Sequence, residues 1–292
     1  MAIEANVPSL TPFSGHAGSI RSILEWLARR AEPVVISLGA VLAGMALFSI
    51  FIMAVGKSPA DLFKLMYFGG FGSWFSVQNS LSRAAPLLLT ALCVALPARL
   101  GLVIIGGEGA VVLGGVCAAA AALPLTGVLP PIIVLPLMAL AGMVMGGVWI
   151  GFTGVLRYYR GVNETIASLL MAYIAIALMN QFIEGPLRDP ASLNKPSTTP
   201  LPAHYMLGNM PGMDVNWGLA IGVVACIVSW VLIEATSFGF AARIAGGNVR
   251  AAQIQGLPVG RLIVGFTALA GSFAGLAGMI EVAAVQGSAN GS

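Results

Sequence analysis

Charge is the scarcest resource in this chain. Of its 292 residues only 9% are Asp, Glu, Lys or Arg, where a soluble domain carries about a quarter. That excludes a water-soluble globular protein. The net charge of +3 comes from dispersed basic residues with no aromatic-interleaved patch, which excludes a nucleic-acid partner. Histidine is nearly absent: His16 and His204 both lie in polar segments. No serine or cysteine has a histidine partner at a readable spacing, and no His/Asp/Glu set has the spacing of metal ligands. No catalytic residue, metal site or cofactor is therefore expected. The three cysteines, Cys93, Cys117 and Cys226, fall within apolar runs and read as small core residues.

What the chain has instead is apolar sequence, at 58% of residues with a mean hydropathy of +0.93, and 37 glycines. In lipid, small residues let helix backbones approach closely. A hydrocarbon core of about 30 Å needs roughly 20 helical residues. Apolar runs that meet or approach this length are 34–56, 84–98, two within 109–156 divided by Pro130-Pro131, 165–183, 215–233 and 262–280. The expected fold class is all-α, a polytopic transmembrane helical bundle of about seven spans with a cytoplasmic N-terminus. Residues 57–83 read as a surface hairpin or partly embedded segment on the outer side. The 84–98 run is short, so it either thins the bilayer or continues past Arg99 as a broken helix.

The orientation rests on the excess of basic residues in cytoplasmic loops. With the N-terminus inside, nine fall on the cytoplasmic side (Arg21, Arg29, Arg30, Arg99, Arg157, Arg160, Arg243, Arg250 and Arg261) and five outside (Lys57, Lys64, Arg83, Arg188 and Lys195). Residues 1–33 form a cytoplasmic tail with an interfacial helix around Ser19 to Arg30, and 34–292 the membrane domain. The outer loop 184–214 carries Pro186, Pro190, Pro196, Pro200, Pro202 and Pro211, which make it extended and stiff.

The longest polar interval between two spans is 234–261. Within it Asn248 suits an N-cap, Val249 to Gln255 a short helix, Gly256 its C-cap and Pro258 the stop. Such a helix is either an ordinary amphipathic connection or a lever that a soluble partner can push. Glu108 and Glu281 are the acidic residues with apolar sequence on both sides. Glu108 sits among Gly106, Gly107 and Gly109, where the backbone can leave helical geometry; it either lines a polar path or supports the following helix at its N-terminus. Asn163 and Glu164 read as an N-cap and first-turn acid. Asn180 and Gln181 can bond a polar solute or a neighbouring helix.

The wording of several blocks resembles one family. RAAPLLLTALCVALPARLGLVIIGGEGAVVLGG (83–115), GVNETIASLLMAYIA (161–175), GPLRDPAS (185–192) and FGFAARIAGGNVRAAQIQGLPVGR with the span after it (238–287) are similar, in order, to permease subunits of ABC importers of the simple-sugar and nucleoside type. GPLRDP favours the longer of the two paired permeases.

The resemblance implies a non-catalytic, multi-pass subunit in a bacterial plasma (inner) membrane. ATP hydrolysis would belong to a separate cytoplasmic ATPase subunit. A second permease subunit and an extracytoplasmic solute-binding protein complete the expected partners, besides the lipid bilayer. The ATPase-coupling residues would be Phe238, Gly239, Phe240, Arg243, Asn248, Arg250, Ala251, Ala252, Gly256 and Leu257. The solute path would use Gly106, Gly107, Glu108, Gly109, Asn163, Glu164 and Asn180.

Ile104 and Ala110 stand where the family commonly has Asn and Gln, which leaves sugar versus nucleoside open. Val249-Arg250 stands where the family often has Pro-Glu, implying an acidic site on the ATPase. Members continue through further spans beyond the position of Gly287, so the chain is expected to lack part of the pore. An ion-coupled secondary transporter using Glu108 is the alternative.

Overall fold

The computed structural model describes residues 18–192 and 195–290, with side chains from Val35 onward; of the tail 1–33 expected on the cytoplasmic side, residues 1–17 lie outside the described residues. The chain divides into two compact units, Met1–Phe68 and Gly69–Ser292. In the first, α1 (Gly18–Ala54) is one unbroken helix. It joins the segment expected to lie on the membrane surface directly to the first span. Its stretch Val35–Ala54 has a mean hydropathy of 2.4 and no buried side chain, a face suited to lipid rather than water. Helix α2 (Pro59–Phe71) starts with proline at its first position, where the missing N–H has no intrahelical role.

The first helix wholly within the second unit is α3 (Trp74–Ala98). Hydropathy alone placed its start at Ala84. The actual start is set by capping: the Ser73 hydroxyl accepts from the Ser76 N–H at 3.1 Å, and the polar turns that follow are helical because nothing in them breaks a helix. Then come α4 (Gly107–Ala122), α5 (Pro131–Arg160), α6 (Glu164–Glu184), α7 (Gly218–Ala235), α8 (Ser237–Gly247), α9 (Val249–Ile254) and α10 (Val259–Ile280). A π-helical turn, Glu281–Gln286, extends α10. Among the described residues six helices are long and apolar enough to cross a membrane, namely α1, α3, α5, α6, α7 and α10; the shorter apolar α4 is the seventh apolar segment. Helix α4 ends at Ala122 rather than running to the proline pair, because Pro124 has no N–H to continue the helical ladder and the chain then turns at Gly127, with φ +83°.

Helix α10 is the axis of the second unit. Of its membrane window 72% is buried, against 22–33% for α3, α5, α6 and α7. Its neighbours reach it through glycine. A Cβ on Gly275 would fall on the Gly142 carbonyl, one on Gly271 on the Gly146 carbonyl, and one on Gly278 on the Val111 carbonyl. Helices α4, α5 and α10 thus touch backbone to backbone, the close approach that drives helix association where lipid removes any hydrophobic gain.

At one end of this unit the proline-rich loop is stitched down. Thr198 N–H donates to the Ala289 carbonyl (2.9 Å), Leu201 N–H to Gly287 (2.7 Å) and Leu207 N–H to Ala283 (2.8 Å). The Tyr205 hydroxyl accepts from Gly127 N–H and donates to the Leu129 carbonyl, both at 2.8 Å, clamping the α4–α5 turn. The opposite end carries α8, α9 and the start of α6.

Candidate functional site

Two helices, not one, occupy the polar interval after α7. Helix α8 was not foreseen. Thr236 caps it by accepting from Gly239 N–H at 3.1 Å, and a Cβ on Gly239 would fall on the Ile233 carbonyl, so α7 and α8 turn a corner that only glycine allows. Arg243 spans that corner to Glu234 at 2.7 Å. Helix α9 has the expected cap, Asn248 Oδ1 accepting from Ala251 N–H at 3.0 Å. It closes at Gly256, whose φ of +79° lets Leu257 N–H reach back to the Ala252 carbonyl at 3.0 Å.

The ten residues singled out on this segment divide by direction. Phe238 stacks on Phe266 of α10, with ring centroids 4.6 Å apart. Gly239 and Ala252 are buried, and Ala251 and Leu257 half-buried. These anchor the segment to the bundle. Phe240, Arg243, Asn248, Arg250 and Gly256 are exposed. Phe240 at 63% exposure is joined by Val249 at 46%, noted in the sequence only as a departure from the family's Pro-Glu, and by Ile254 at 82%, which sequence reasoning did not single out. Three exposed apolar side chains beside arginines make an amphipathic surface on a rigid, capped support.

Helix α8 also leans on the turn after α3. A Cβ on Gly246 would fall on the Arg99 carbonyl and lie 3.1 Å from the Leu100 Cα. Gly101, with φ +73°, redirects the chain there. Residues 102–105 then run without helical or strand assignment into α4, so the break expected past Arg99 exists. Its polar groups are satisfied by α6. Val103 N–H donates to Glu164 Oε1 (3.5 Å), Thr165 Oγ1 donates to the Val103 carbonyl (2.9 Å), and Ile105 and Gly106 N–H both donate to Ser168 Oγ (3.3 Å each). Glu164 is buried and meets Arg157 Nε at 3.2 Å.

Of the path candidates, Gly106, Gly107, Gly109 and Glu164 gather here, and Glu108 lies exposed in the first turn of α4, where a carboxylate favours the helix dipole. Asn163 caps α6, accepting from Thr165 and Ile166 N–H at 2.9 and 3.1 Å. Asn180 is exposed near the other end of α6, roughly 25 Å along the helix from Asn163, so it does not join them. Ser168 and Arg157 were not flagged as site residues: their importance depends on contacts across more than sixty positions for Ser168, which no local pattern announces. Among the described residues no three His, Cys, Asp or Glu side chains are grouped to hold a metal ion.

Comparison with known proteins places this geometry in context. Residues 76–290 match the family described as branched-chain amino acid transport system / permease component. The glucose ABC transporter permease protein of Haloferax volcanii is 33% identical over 91% of this chain and 71% of its own length. The guanosine ABC transporter permease protein of Bacillus subtilis is 28% identical over 87% and 73%. The nucleoside ABC transporter permease protein of Lactococcus lactis is 26% identical over 86% and 71%.

Proposed function

The chain belongs to the branched-chain amino acid transport system permease component family, and from that premise we propose that it forms the translocation path of an ABC importer for a nucleoside or simple sugar. It is a multi-pass membrane protein of the inner membrane, with six described helices fit to span it. The solute class is taken from relatives named for glucose, guanosine and nucleosides. Permease components of this kind do no chemistry of their own. A separate cytoplasmic ATPase subunit supplies the energy, a second permease completes the pore, and an extracytoplasmic binding protein delivers the solute.

The observation that carries the coupling part of this reading is the α8–α9 pair. Phe240, Val249 and Ile254 are exposed on it beside Arg250, while Phe238 and Ala252 hold it to α10 and the bundle. A partner that seats on Phe240 and Ile254 can therefore move a stiff body, not a loose loop. Arg250 fits an acidic site on that partner. Membership of this family argues against the ion-coupled carrier built on Glu108.

The test is uptake in proteoliposomes containing the permease pair and ATPase, with the binding protein supplied on the outer side and glucose and guanosine as probes. Uptake should require ATP and persist when the ion gradient is collapsed at constant ATP. Uphill uptake by the permease alone, driven by a pH or sodium difference, would overturn the reading. Arg250→Glu should weaken ATPase coupling; an unchanged coupling ratio would remove Arg250 from the contact.

A further inference from the structure

Residues 102–106 form a strap whose one face is built into the bundle and whose other face is bare. Leu102, Ile104 and Gly106 are buried, while Val103 and Ile105 are exposed at 54% and 57%. Among the described residues the strap has no sheet partner. Its backbone is paired instead to the first turns of α6, where Glu164, Thr165 and Ser168 act together as a stand-in for a neighbouring strand.

Ser168 is the centre of this arrangement. It has no exposed surface, its hydroxyl accepts two strap N–H groups, and it donates to the Thr165 carbonyl at 3.0 Å. A single neutral oxygen serving two donors at 3.3 Å gives bonds slightly longer than the ordinary N–H···O range, which can be exchanged without stranding a buried charge. The strap's fixed start is the Arg99–Gly101 turn, against which Gly246 of α8 lies backbone to backbone. Its far end is Gly106, which leads into Glu108, and a Cβ on Gly106 would fall on the Ser168 carbonyl.

We infer that Ser168 and Thr165 are positioning residues for transport: they hold the 102–106 strap in register on α6, and α8 displaces the strap through the Gly246–Arg99 contact. This rests on the coupling reading above, since it needs α8 to receive the stroke. It adds a route by which that stroke reaches the segment around Glu108 without passing through the spans. Glu164 secures the same strap at Val103, with Arg157 holding its carboxylate in place.

The experiment uses the assembled complex with its ATPase in lipid nanodiscs. Ile105→Cys serves as reporter, with Cys117 and Cys226 replaced by alanine and the fully buried Cys93 retained. The rate of labelling by a water-soluble maleimide is compared without nucleotide and with ATP and vanadate. The ratio should be about fivefold or more, the lower end of ordinary coupling between sites. Ser168→Ala should bring it near one while ATP hydrolysis continues, which shows that the complex is still assembled. Thr165→Val removes the bond to the Val103 carbonyl at a half-buried position and should lower the ratio in the same way, even if Ser168→Ala does not assemble. Glu164→Gln keeps an acceptor for Val103 N–H and should retain most of the ratio.

An unchanged ratio in both hydroxyl variants overturns the assignment. A ratio of one in the unmodified complex, alongside ATP-dependent uptake, overturns the strap's movement but leaves the coupling reading standing. Uptake that needs no ATP removes both.

Discussion

Valine at Gly275 should loosen the whole second unit. At this position α10 meets α5 and α4 through backbone alone: a new Cβ would fall on the Gly142 carbonyl and lie 3.2 Å from the Gly146 Cα. From the other side, a Cβ on Gly142 would lie 2.8 Å from the Gly275 oxygen and 3.3 Å from that of Gly114. Carbon contacts normally sit at about 3.5–4.0 Å, so the helices must part by roughly 1 Å. A gap of that size forfeits a quarter to a half of each contact's well of about 0.1–0.2 kcal/mol. With on the order of a hundred atom pairs along the α10 seams, the loss is about 2.5–10 kcal/mol. Lipid offers no hydrophobic term to offset it.

The assay is reversible unfolding in mixed micelles, followed by circular dichroism. Alanine gives the sharper comparison, because it favours helix over glycine by about 1 kcal/mol. Gly44→Ala, where a Cβ meets nothing within 4 Å, should be neutral or stabilising, whereas Gly275→Ala should destabilise. If both shift stability in the same favourable direction, or Gly275→Val unfolds like the unmodified protein, close backbone contact does not hold this bundle together.

Three further outcomes are expected. Gly256→Val forces a β-branched residue to φ +79°, a strain of about 1–2 kcal/mol, and should abolish ATP-driven uptake while leaving membrane insertion, measured by protease protection, unchanged. Asn163→Ala removes the double cap on α6 and should lower stability by about 1 kcal/mol in the same unfolding assay, with normal stability excluding a capping role. Tyr205→Phe deletes both hydrogen bonds to the α4–α5 turn, for about 1–2 kcal/mol in total; faster hydrogen exchange confined to 123–130 is the expected signature, and unchanged exchange would show that the clamp is idle.

The spans were legible because hydropathy over some twenty residues is a direct image of the bilayer, and the caps of α9 were legible because Asn248 and Gly256 act within their own turn. The start of α3 was misplaced for the converse reason. Ser73 begins that helix by one local bond, while the apolar run that catches attention starts at Ala84. Helix α8 was overlooked since its alanines and glycines carry little hydropathic contrast, although Thr236 followed by a small-residue run was the available signal. The strap on α6 is different in kind. Glu164 read correctly as a first-turn acid, yet its bond to Val103 links positions that chain order keeps far apart. Such pairings depend on how the helices are arranged, and that arrangement is written in glycine positions whose partners emerge only in three dimensions.

The central place of α10 has a consequence for biosynthesis. Helices α3, α4 and α5 leave the ribosome before it, with the glycine notches that receive it still unfilled. Helices α4 and α5 can pair with each other before it, but the groove they form stays open to lipid until the later helix arrives. Closure of the unit therefore waits for α10 to be synthesised, and the 197–207 segment can be sewn onto 283–290 only afterwards.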